Sequence, residues 1–172
     1  MTTRQRIGIA ALALSAMGLV KLVNDESFTP VAVIPVQGDR PTVGFGSTFR
    51  DDGSPVQMGD TITVPQALKR TLAHIQKDET RLKACVTAPL TQVEYDLLED
   101  HAYQYGAATT CNSPMVKRAN AGDYAGACRG YLEYKFIRIN GKPYDCSTPG
   151  NRVCSGVWKR SVGRYDKCMG DQ

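Results

Sequence analysis

The chain has 172 residues, 42% of them hydrophobic, which is enough for one good core in a single domain of two small lobes. Its formal net charge of +4 depends on Arg4, Arg6 and Lys21, because every Asp and Glu lies at Asp25 or later. The rest of the chain has 18 basic and 17 acidic residues, so the composition argues against a nucleic-acid partner.

The N-terminal segment, residues 1–23, has the pattern of a weak membrane-inserting sequence. An apolar run from Ile7 to Val23 spans 17 residues, about 26 Å as a helix, which is short for a hydrocarbon core of about 30 Å. Ala, Gly and Ser dominate the run, and Lys21 dilutes its far end. Three interpretations remain: a signal peptide cleaved near Ala16, a segment that inserts and is later released, or a permanent anchor. Release is preferred over cleavage because of the Gly and Ala content of the run, which inserts weakly. The small-residue cleavage site is also poor, and apolar residues continue past it.

Residues 26–49 predict a β-hairpin. Two strand-like runs, VAVI and TVGFG, flank the turn-forming residues 37–41. Glu26 precedes the hairpin, Asp39 lies in its turn, and Thr42 opens its second strand. Two carboxyl groups suit the cleavage of a glycosidic bond, because one protonates the leaving oxygen while the other acts on the opposite side. A threonine hydroxyl can hold the attacking water.

This stretch resembles the start of the phage-type lysozymes, glycoside hydrolase family 24. The resembling residues are Glu26-Ser27-Phe28 and the run PTVGFGST from Pro41 to Thr48, close to the family pattern P-T-x-G-F-G-H-T. Ser47 stands where a histidine is usual. The family's aspartate lies six residues before the threonine, where this chain has Val36.

The resemblance implies roles for individual residues of the hairpin. Glu26 is the expected general acid, and Asp39 and Thr42 are expected to place or activate water. Asp39 is the candidate because it is the only acid in the turn. Phe45, inside the glycine-rich motif, is a candidate for binding the sugar.

A long helix follows the hairpin. Thr63 and Gln66 form a capping box, and apolar residues at helical spacing continue to Cys85, after a possible third strand at 56–58. His74 on this helix is expected at the surface. In phage-type lysozymes such a helix joins the two lobes. The resemblance therefore implies an α+β, lysozyme-like fold, in which a small antiparallel β-lobe is joined by a long helix to a mostly helical lobe.

The remainder of the chain predicts mostly helices. A second capping box, Thr91 with Glu94, opens a helix that ends at Gly106. Later signals indicate two short helices, which begin at Ser113 and Asp123, and a terminal helix at 156–169. An alternating run with an Asn-Gly turn, 135–142, forms a hairpin or an ordered loop. The run from Gln92 to Tyr124 again resembles the family. Gln104 replaces an asparagine that faces the family's cleft, so it is a second candidate for binding sugar; His101 is expected to be structural.

Six cysteines, an even number without a CxxC motif, indicate disulfides in an oxidising periplasm. A metal site is not expected, because His74 and His101 lie far from any cysteine in sequence. Of the fifteen possible connectivities, the expected one joins sequence neighbours and ties the long helix to the last one. Its pairs are Cys111 with Cys128, Cys146 with Cys154, and Cys85 with Cys168.

The resemblance covers most of residues 26–168 and implies an endolysin. The expected enzyme, residues 24–172, is a monomeric muramidase that needs no cofactor. It hydrolyses the β-1,4 bond between N-acetylmuramic acid and N-acetylglucosamine in the peptidoglycan glycan strand and lyses the host. Residues 7–23 would hold it at the periplasmic face of the host inner membrane before release into the periplasm. Two alternatives remain: a lytic transglycosylase, which needs one acid, and a non-enzymatic peptidoglycan-binding envelope protein.

Overall fold

The structure is a computed structural model that describes residues 5–35 and 38–172. The helices are α1 (Ala16–Glu26), α2 (Val64–Cys85), α3 (Gln92–Tyr105), α4 (Ala107–Cys111), α5 (Pro114–Asn120), α6 (Tyr124–Gly130) and α7 (Ser155–Met169). The strands are β1 (Thr29–Val33), β2 (Thr42–Gly44), β3 (Phe136–Ile139) and β4 (Lys142–Asp145), and short 3-10 turns cover Ile9–Ala11 and Tyr131–Glu133.

The chain divides into two compact units. The hairpin unit comprises residues 14–80, and the helical unit comprises the chain up to residue 13 together with residues 81–172. Both units contain one two-stranded antiparallel sheet, β1–β2 in the first and β3–β4 in the second. The α+β class predicted from the sequence is confirmed.

The hairpin unit is organised around β1 and β2, which pair with an irregular register between Thr29↔Gly44 and Val33↔Thr42. Its core consists of apolar side chains with Val23, Phe28 and Leu68 packed against them: Ala32, Val43, Phe45, Val56, Ile62 and Ala67. The segment that hydrogen-bonds to the other edge of β1 is 60–62, not 56–58. The predicted third strand is therefore wrong. Asp60 lies in the bonded segment, and Arg50 holds its carboxylate at 2.7 Å.

The predicted capping boxes are both present. The Thr63 amide donates to Gln66 Oε1 at 2.9 Å before α2 begins. At the start of α3, the Thr91 amide donates to Glu94 Oε2 at 2.8 Å, and the Glu94 amide donates to Thr91 Oγ1 at 3.1 Å. His74 is exposed on α2, as predicted, and lies 3.1 Å from Asp78.

The helical unit has the larger core, and the N-terminal segment contributes two side chains to it. Ile9 and Leu12 are buried in the same cluster as Leu82, Tyr95 and Met115. Leu12 is followed by the rest of the predicted membrane segment, most of which forms α1. Among the residues that the structure describes, no helix combines the length and the apolar character needed to cross a membrane.

The Asn-Gly turn predicted near residue 140 joins β3 to β4 in a regular hairpin. Asn140 and Gly141 have φ values of 50° and 77°, the positive values that a tight hairpin turn of this type requires. The two alternatives left open for this run, hairpin or ordered loop, are thus resolved in favour of a hairpin.

Three disulfides join Cys85 to Cys111, Cys128 to Cys168, and Cys146 to Cys154. The last pair agrees with the expectation, and the other two expected pairs, Cys111 with Cys128 and Cys85 with Cys168, are wrong. Helix packing is the reason. The end of α2 lies beside α4, so that the Cα atoms of Cys85 and Cys111 are 5.7 Å apart, and α6 packs on α7, which brings Cys128 and Cys168 to 5.4 Å.

Candidate active site

Glu26 is the last residue of α1, at the point where the chain turns from helix to strand. Ser27 follows with φ 58° and ψ 160°, a conformation that few residues other than glycine adopt. This sharp change of direction allows β1 to begin only three residues after the helix ends. The side chain of Glu26 is partly buried and so lies at a fixed place at the end of a helix.

Two glycines shape the turn that faces Glu26. Val43 and Ser47 close it through reciprocal backbone hydrogen bonds of 3.0 and 3.1 Å. Gly44 has φ 69°, and a Cβ there would lie 2.9 Å from the Cβ of Ala67, so glycine permits close packing on α2. Gly46 has φ 76°, and a Cβ there would lie 3.1 Å from Glu26 Oε2. The glycine-rich motif therefore brings a side-chain-free stretch of backbone against the Glu26 carboxyl group.

Phe45, between these glycines, is only 7% exposed. Its ring lies 5.5 Å from that of Phe28, centroid to centroid, within the hairpin-unit core. The buried ring anchors the turn and gives Phe45 a packing role. Contact between Phe45 and a sugar, expected from the sequence, stays a prediction.

Thr42 is the first residue of β2 and is partly exposed. Its Oγ1 donates to the Val33 carbonyl oxygen at 3.5 Å, a long and weak hydrogen bond that leaves the hydroxyl available to another partner. Asp39 is exposed in the connection before β2, next to Gly38, whose φ is 93°. Val36, at the position of the family's aspartate, lies outside the described residues.

The other acids of the hairpin unit have structural partners. Hydrogen bonds from Arg50 and from the Gln57 amide lower the pKa of Asp60 to about 2. The remaining contacts are Asp25 with Lys21, Asp51 with Arg70, Asp52 with Ser54, Asp78 with His74, and Glu79 with the Leu14 amide. Asp39 is the exposed acid of the hairpin connection, and Glu26 is the acid beside the glycine-rich turn, so both stay candidates for catalysis.

Gln104 belongs to a buried polar group in the helical unit. Its Oε1 accepts a hydrogen bond from Arg164 Nη2 at 2.8 Å, and Arg164 Nε donates to Asp100 Oδ2 at 2.6 Å. Arg164 is completely buried. Because Arg164 uses one lone pair of the amide oxygen, a sugar contact by Gln104 would use the other lone pair or Nε2 as a donor. Sequence analysis missed Arg164, although Asp100 and Gln104 are spaced four apart on one face of α3.

His101 is also buried in this group. Its Nδ1 lies 2.8 Å from Thr110 Oγ1, and its ring packs edge-on against Tyr134 at 4.2 Å. Burial, followed by the nearby Arg164 charge, lowers the pKa of His101 to about 3, so the ring is neutral at pH 7. This is the position of a structural residue. Within residues 5–35 and 38–172, no three His, Cys, Asp or Glu side chains are grouped so as to hold a metal ion.

An α+β fold in which a helix ends in a glutamate facing a glycine-rich hairpin turn defines the lysozyme class of glycoside hydrolases. A model of the phage lysozyme family matches residues 24–162, and the chain belongs to that family. It is 28% identical to the endolysin of Salmonella phage P22 over 141 residues, covering 82% of this chain and 94% of the relative. It is also 28% identical over 129 residues to an endolysin of Acyrthosiphon pisum secondary endosymbiont phage 1, covering 75% of this chain and 84% of that one.

The same fold is seen in a solved endolysin from Escherichia coli O157:H7 phage FAHEc1. The two structures superpose with a TM-score of 0.81 at 27% sequence identity, over 94% of this chain and 96% of the other. The muramidase domain of SpmX from Asticaccaulis excentricus shares the fold with a TM-score of 0.75 at 17% identity, over 92% of this chain and 98% of that one. The protein is therefore a peptidoglycan-degrading glycoside hydrolase of the lysozyme type, and the prediction of an enzyme is confirmed.

Proposed function

We propose that the enzyme is an endolysin that hydrolyses the β-1,4 bond between N-acetylmuramic acid and N-acetylglucosamine, with Glu26 as general acid. The observation that supports this role is the placement of Glu26 at the end of α1, with its Oε2 beside the side-chain-free Gly46. Because Gly46 has no side chain, its backbone leaves space beside this carboxyl group for a glycosidic oxygen. Proton donation to that oxygen converts the sugar into a leaving group.

The second half of the reaction is assigned to Asp39 and Thr42. In an inverting glycosidase a carboxylate activates a water on the face of the sugar opposite the acid. Asp39 is the exposed acid of the hairpin connection, and it is the acid nearest to Thr42 in sequence. Thr42 Oγ1 is only weakly held by Val33, so it can turn to hold that water. Asp39 would then accept the proton as the new C–O bond forms.

The experiment compares Glu26→Gln with Asp25→Asn. Glutamine has nearly the shape of glutamate but cannot donate the proton, so release of reducing ends from purified peptidoglycan should fall about 100- to 10,000-fold. Asp25, the adjacent acid, pairs with Lys21 at 2.5 Å, and its amide variant should retain activity. Thermal unfolding of both variants shows whether the fold is intact.

Full wall cleavage by a folded Glu26→Gln enzyme would contradict the assignment. Mass spectrometry of the wild-type digest distinguishes the remaining alternatives, because a lytic transglycosylase leaves anhydro sugar ends and a hydrolase leaves reducing ends.

We further propose that residues 7–23 form a signal-arrest-release segment, which holds the enzyme at the periplasmic face of the host inner membrane and later leaves the bilayer for the periplasm. Ile7 at its start and Arg6 just before it are held by contacts within the helical unit. The Arg6 guanidinium binds Glu94 at 2.7 and 3.0 Å and lies 3.6 Å over the Tyr124 ring, and Ile7 exchanges two backbone hydrogen bonds of 2.9 Å with Leu90. Burial raises the pKa of Glu94, but hydrogen bonds from Arg6, Thr91 and Gln172 outweigh it and lower the pKa overall.

The folded position of this segment is incompatible with its insertion in lipid. Ile9 and Leu12 cannot occupy the protein core and the bilayer at once. More than half of α1, the helix that ends at Glu26, is formed by residues 16–23 of the same segment. Withdrawal from the membrane would therefore complete the helix that positions the catalytic acid, which couples release to activity.

Five small residues that are exposed in the folded protein allow a test: Gly8, Ala10, Ala11, Ala13 and Ala16. Leucine at all five strengthens the hold on lipid without filling the folded core. We expect membrane-bound, non-lytic protein even after an uncoupler, whereas serine at the same positions should lyse at least as readily as wild type. Prompt lysis by the leucine variant, or a mature N-terminus near Ala16, would overturn the proposal.

A further inference from the structure

Residues 135–160 of the helical unit carry a concentration of positive charge that the composition of the whole chain conceals. Six basic residues and one acidic residue lie in this stretch, whereas the complete chain has 21 basic and 17 acidic residues. The stretch comprises the β3–β4 hairpin, the loop closed by the Cys146–Cys154 disulfide, and the first turn and a half of α7.

The single acid of the stretch, Asp145, is fully engaged at the base of the hairpin. Lys135 Nζ binds its Oδ2 at 2.8 Å, and the Ser147 hydroxyl and amide donate to its Oδ1 at 2.6 and 2.8 Å. Hydrogen bonds from Lys135 and Ser147 lower the pKa of Asp145 to about 2. Asp145 therefore neutralises Lys135, and it is not available to the other cations of the stretch.

Three of those cations, Arg138, Lys142 and Arg152, are exposed on the hairpin and its loop. Arg138 Nη1 donates to the Gly141 carbonyl oxygen at 3.0 Å, which orients the guanidinium but does not cancel its charge. In the described part of the chain no carboxylate lies within ion-pair distance of these three groups. They are exposed cations on a hairpin that a disulfide holds at its base, with Arg138 and Lys142 on opposite faces.

The same hairpin exposes apolar side chains on both faces. Side chains paired across the strands lie on one face, and successive side chains along a strand alternate between faces. Phe136 pairs with Asp145, and Ile137 pairs with Tyr144. Phe136 and Tyr144 therefore point to opposite faces of the hairpin. Phe136 is 50% and Tyr144 37% exposed, and Val153 in the adjoining loop is 64% exposed. A hairpin surrounded by water normally has at least one polar face.

We propose that this hairpin is a docking element for an anionic phospholipid surface, along which its strands lie. Arg138, Lys142 and Arg152 would contact headgroup phosphates, and the exposed apolar side chain of the face turned towards the lipid would lie in the interfacial region. The apolar exposure favours lipid over a soluble polyanion, because a membrane interface removes such a side chain from water while it binds the cations and a soluble polyanion does not. The proposal is independent of the reaction assigned to Glu26.

The test measures co-sedimentation of the full-length protein with vesicles of phosphatidylcholine alone and with one third phosphatidylglycerol. Each cation near an anionic surface adds on the order of fivefold to binding, so Arg138→Gln/Lys142→Gln/Arg152→Gln should bind the anionic vesicles on the order of 100-fold more weakly. The control, Lys69→Gln/Lys77→Gln/Lys117→Gln, removes the same charge from exposed helix positions and should bind within about twofold of wild type. Phe136→Ser/Tyr144→Ser should also weaken binding, by about tenfold.

Because every variant retains the N-terminal segment, its contribution to vesicle binding is the same throughout the series. Equal losses in the two triple variants would show a general charge effect and overturn the proposal, as would binding that does not depend on phosphatidylglycerol. Unchanged vesicle binding together with lost retention on isolated peptidoglycan would make the partner a polyanion instead. Cleavage of soluble peptidoglycan fragments, which should stay at the wild-type rate in both triple variants, reports separately on the enzymatic function.

Discussion

The hairpin unit and the helical unit are each stabilised internally by different interactions. The hairpin unit has no cysteine, and its core contains six buried apolar residues. The helical unit contains all three disulfides, a larger apolar core and a buried ion pair between Arg164 and Asp100. The unit with fewer constraints contains Glu26, Asp39 and Thr42.

Most of the stabilising cross-links and buried polar contacts therefore lie in one unit, and the catalytic candidates lie in the other. In the hairpin unit the catalytic candidates are positioned by backbone geometry: a helix end, a residue with positive φ, and two glycines. In the helical unit, cross-links and buried polar contacts between side chains stabilise the packing of the helices. We therefore expect replacement of the catalytic side chains in the first unit to change activity at nearly constant stability. Removal of the disulfides and buried polar side chains of the second unit should do the reverse.

The largest effect is expected in the helical unit, on removal of the Cys128–Cys168 disulfide. Its ends are 40 residues apart, and Cys128→Ser/Cys168→Ser should lower the free energy of unfolding by about 4 kcal/mol, because the unfolded chain regains the entropy of that loop. Removal of Cys146–Cys154, whose ends are 8 residues apart, should cost about 2.5 kcal/mol. Urea titration measures both values. Peptide mapping without reduction checks the pairing, and a peptide joining Cys111 to Cys128 would contradict it.

The next largest effect should fall on activity alone. Asp39→Asn and Thr42→Ala should each reduce the release of reducing ends by at least about 100-fold, because both residues are assigned to the attacking water. Thr42→Ser keeps a hydroxyl and should retain most of the rate. Asp51→Asn is the control, since Asp51 pairs with Arg70. Full activity of Asp39→Asn would remove Asp39 from the site and require another carboxylate.

The third effect is a pH dependence of stability, which we expect from the buried histidine of the helical unit and not from the exposed histidine of the hairpin unit. Burial holds the pKa of His101 at about 3 in the folded protein, against about 6.5 in the unfolded chain, so below pH 6.5 only the unfolded state takes up this proton. Stability is lost as the pH falls, by about 2 kcal/mol between pH 7 and pH 5. His101→Gln should largely remove this dependence, and His74→Gln, at an exposed histidine, should not. An unchanged pH dependence in His101→Gln would refute the assignment.

The smallest effect tests the backbone of the hairpin unit. In Gly46→Ala the added methyl group would lie 3.1 Å from Glu26 Oε2, and we expect about a tenfold loss of activity from displacement of the carboxyl group. Gly53→Ala is the control for backbone strain, because φ is 83° at Gly53 and 76° at Gly46. A Cβ at Gly53 would meet no atom within 4 Å. Both variants should lose about 1–2 kcal/mol of stability. Equal activities in the two would show that the space beside Glu26 does not matter.

Local signals were sufficient for several elements. The capping boxes at Thr63 and Thr91 and the Asn-Gly turn involve residues within four positions of one another, so their hydrogen bonds follow from the sequence. The third strand was misplaced because pairing with β1 depends on where the loop after Arg50 returns, and an ion pair of Arg50 with Asp60 fixes that point. Two disulfides were mispaired because helix packing, not distance along the chain, decides which thiols meet.

The sequence by itself determined the α+β class, the glycine-rich hairpin motif with its acid and threonine, and the use of all six cysteines in disulfides, because each depends on residue type at short spacing. Only the tertiary structure decided that Phe45 faces the core, that Arg164 occupies the oxygen of Gln104, and that Arg6 docks on Glu94. These contacts join residues up to 88 positions apart. Long-range contacts of this kind leave no periodic pattern in the sequence, since they depend on how whole helices and strands pack.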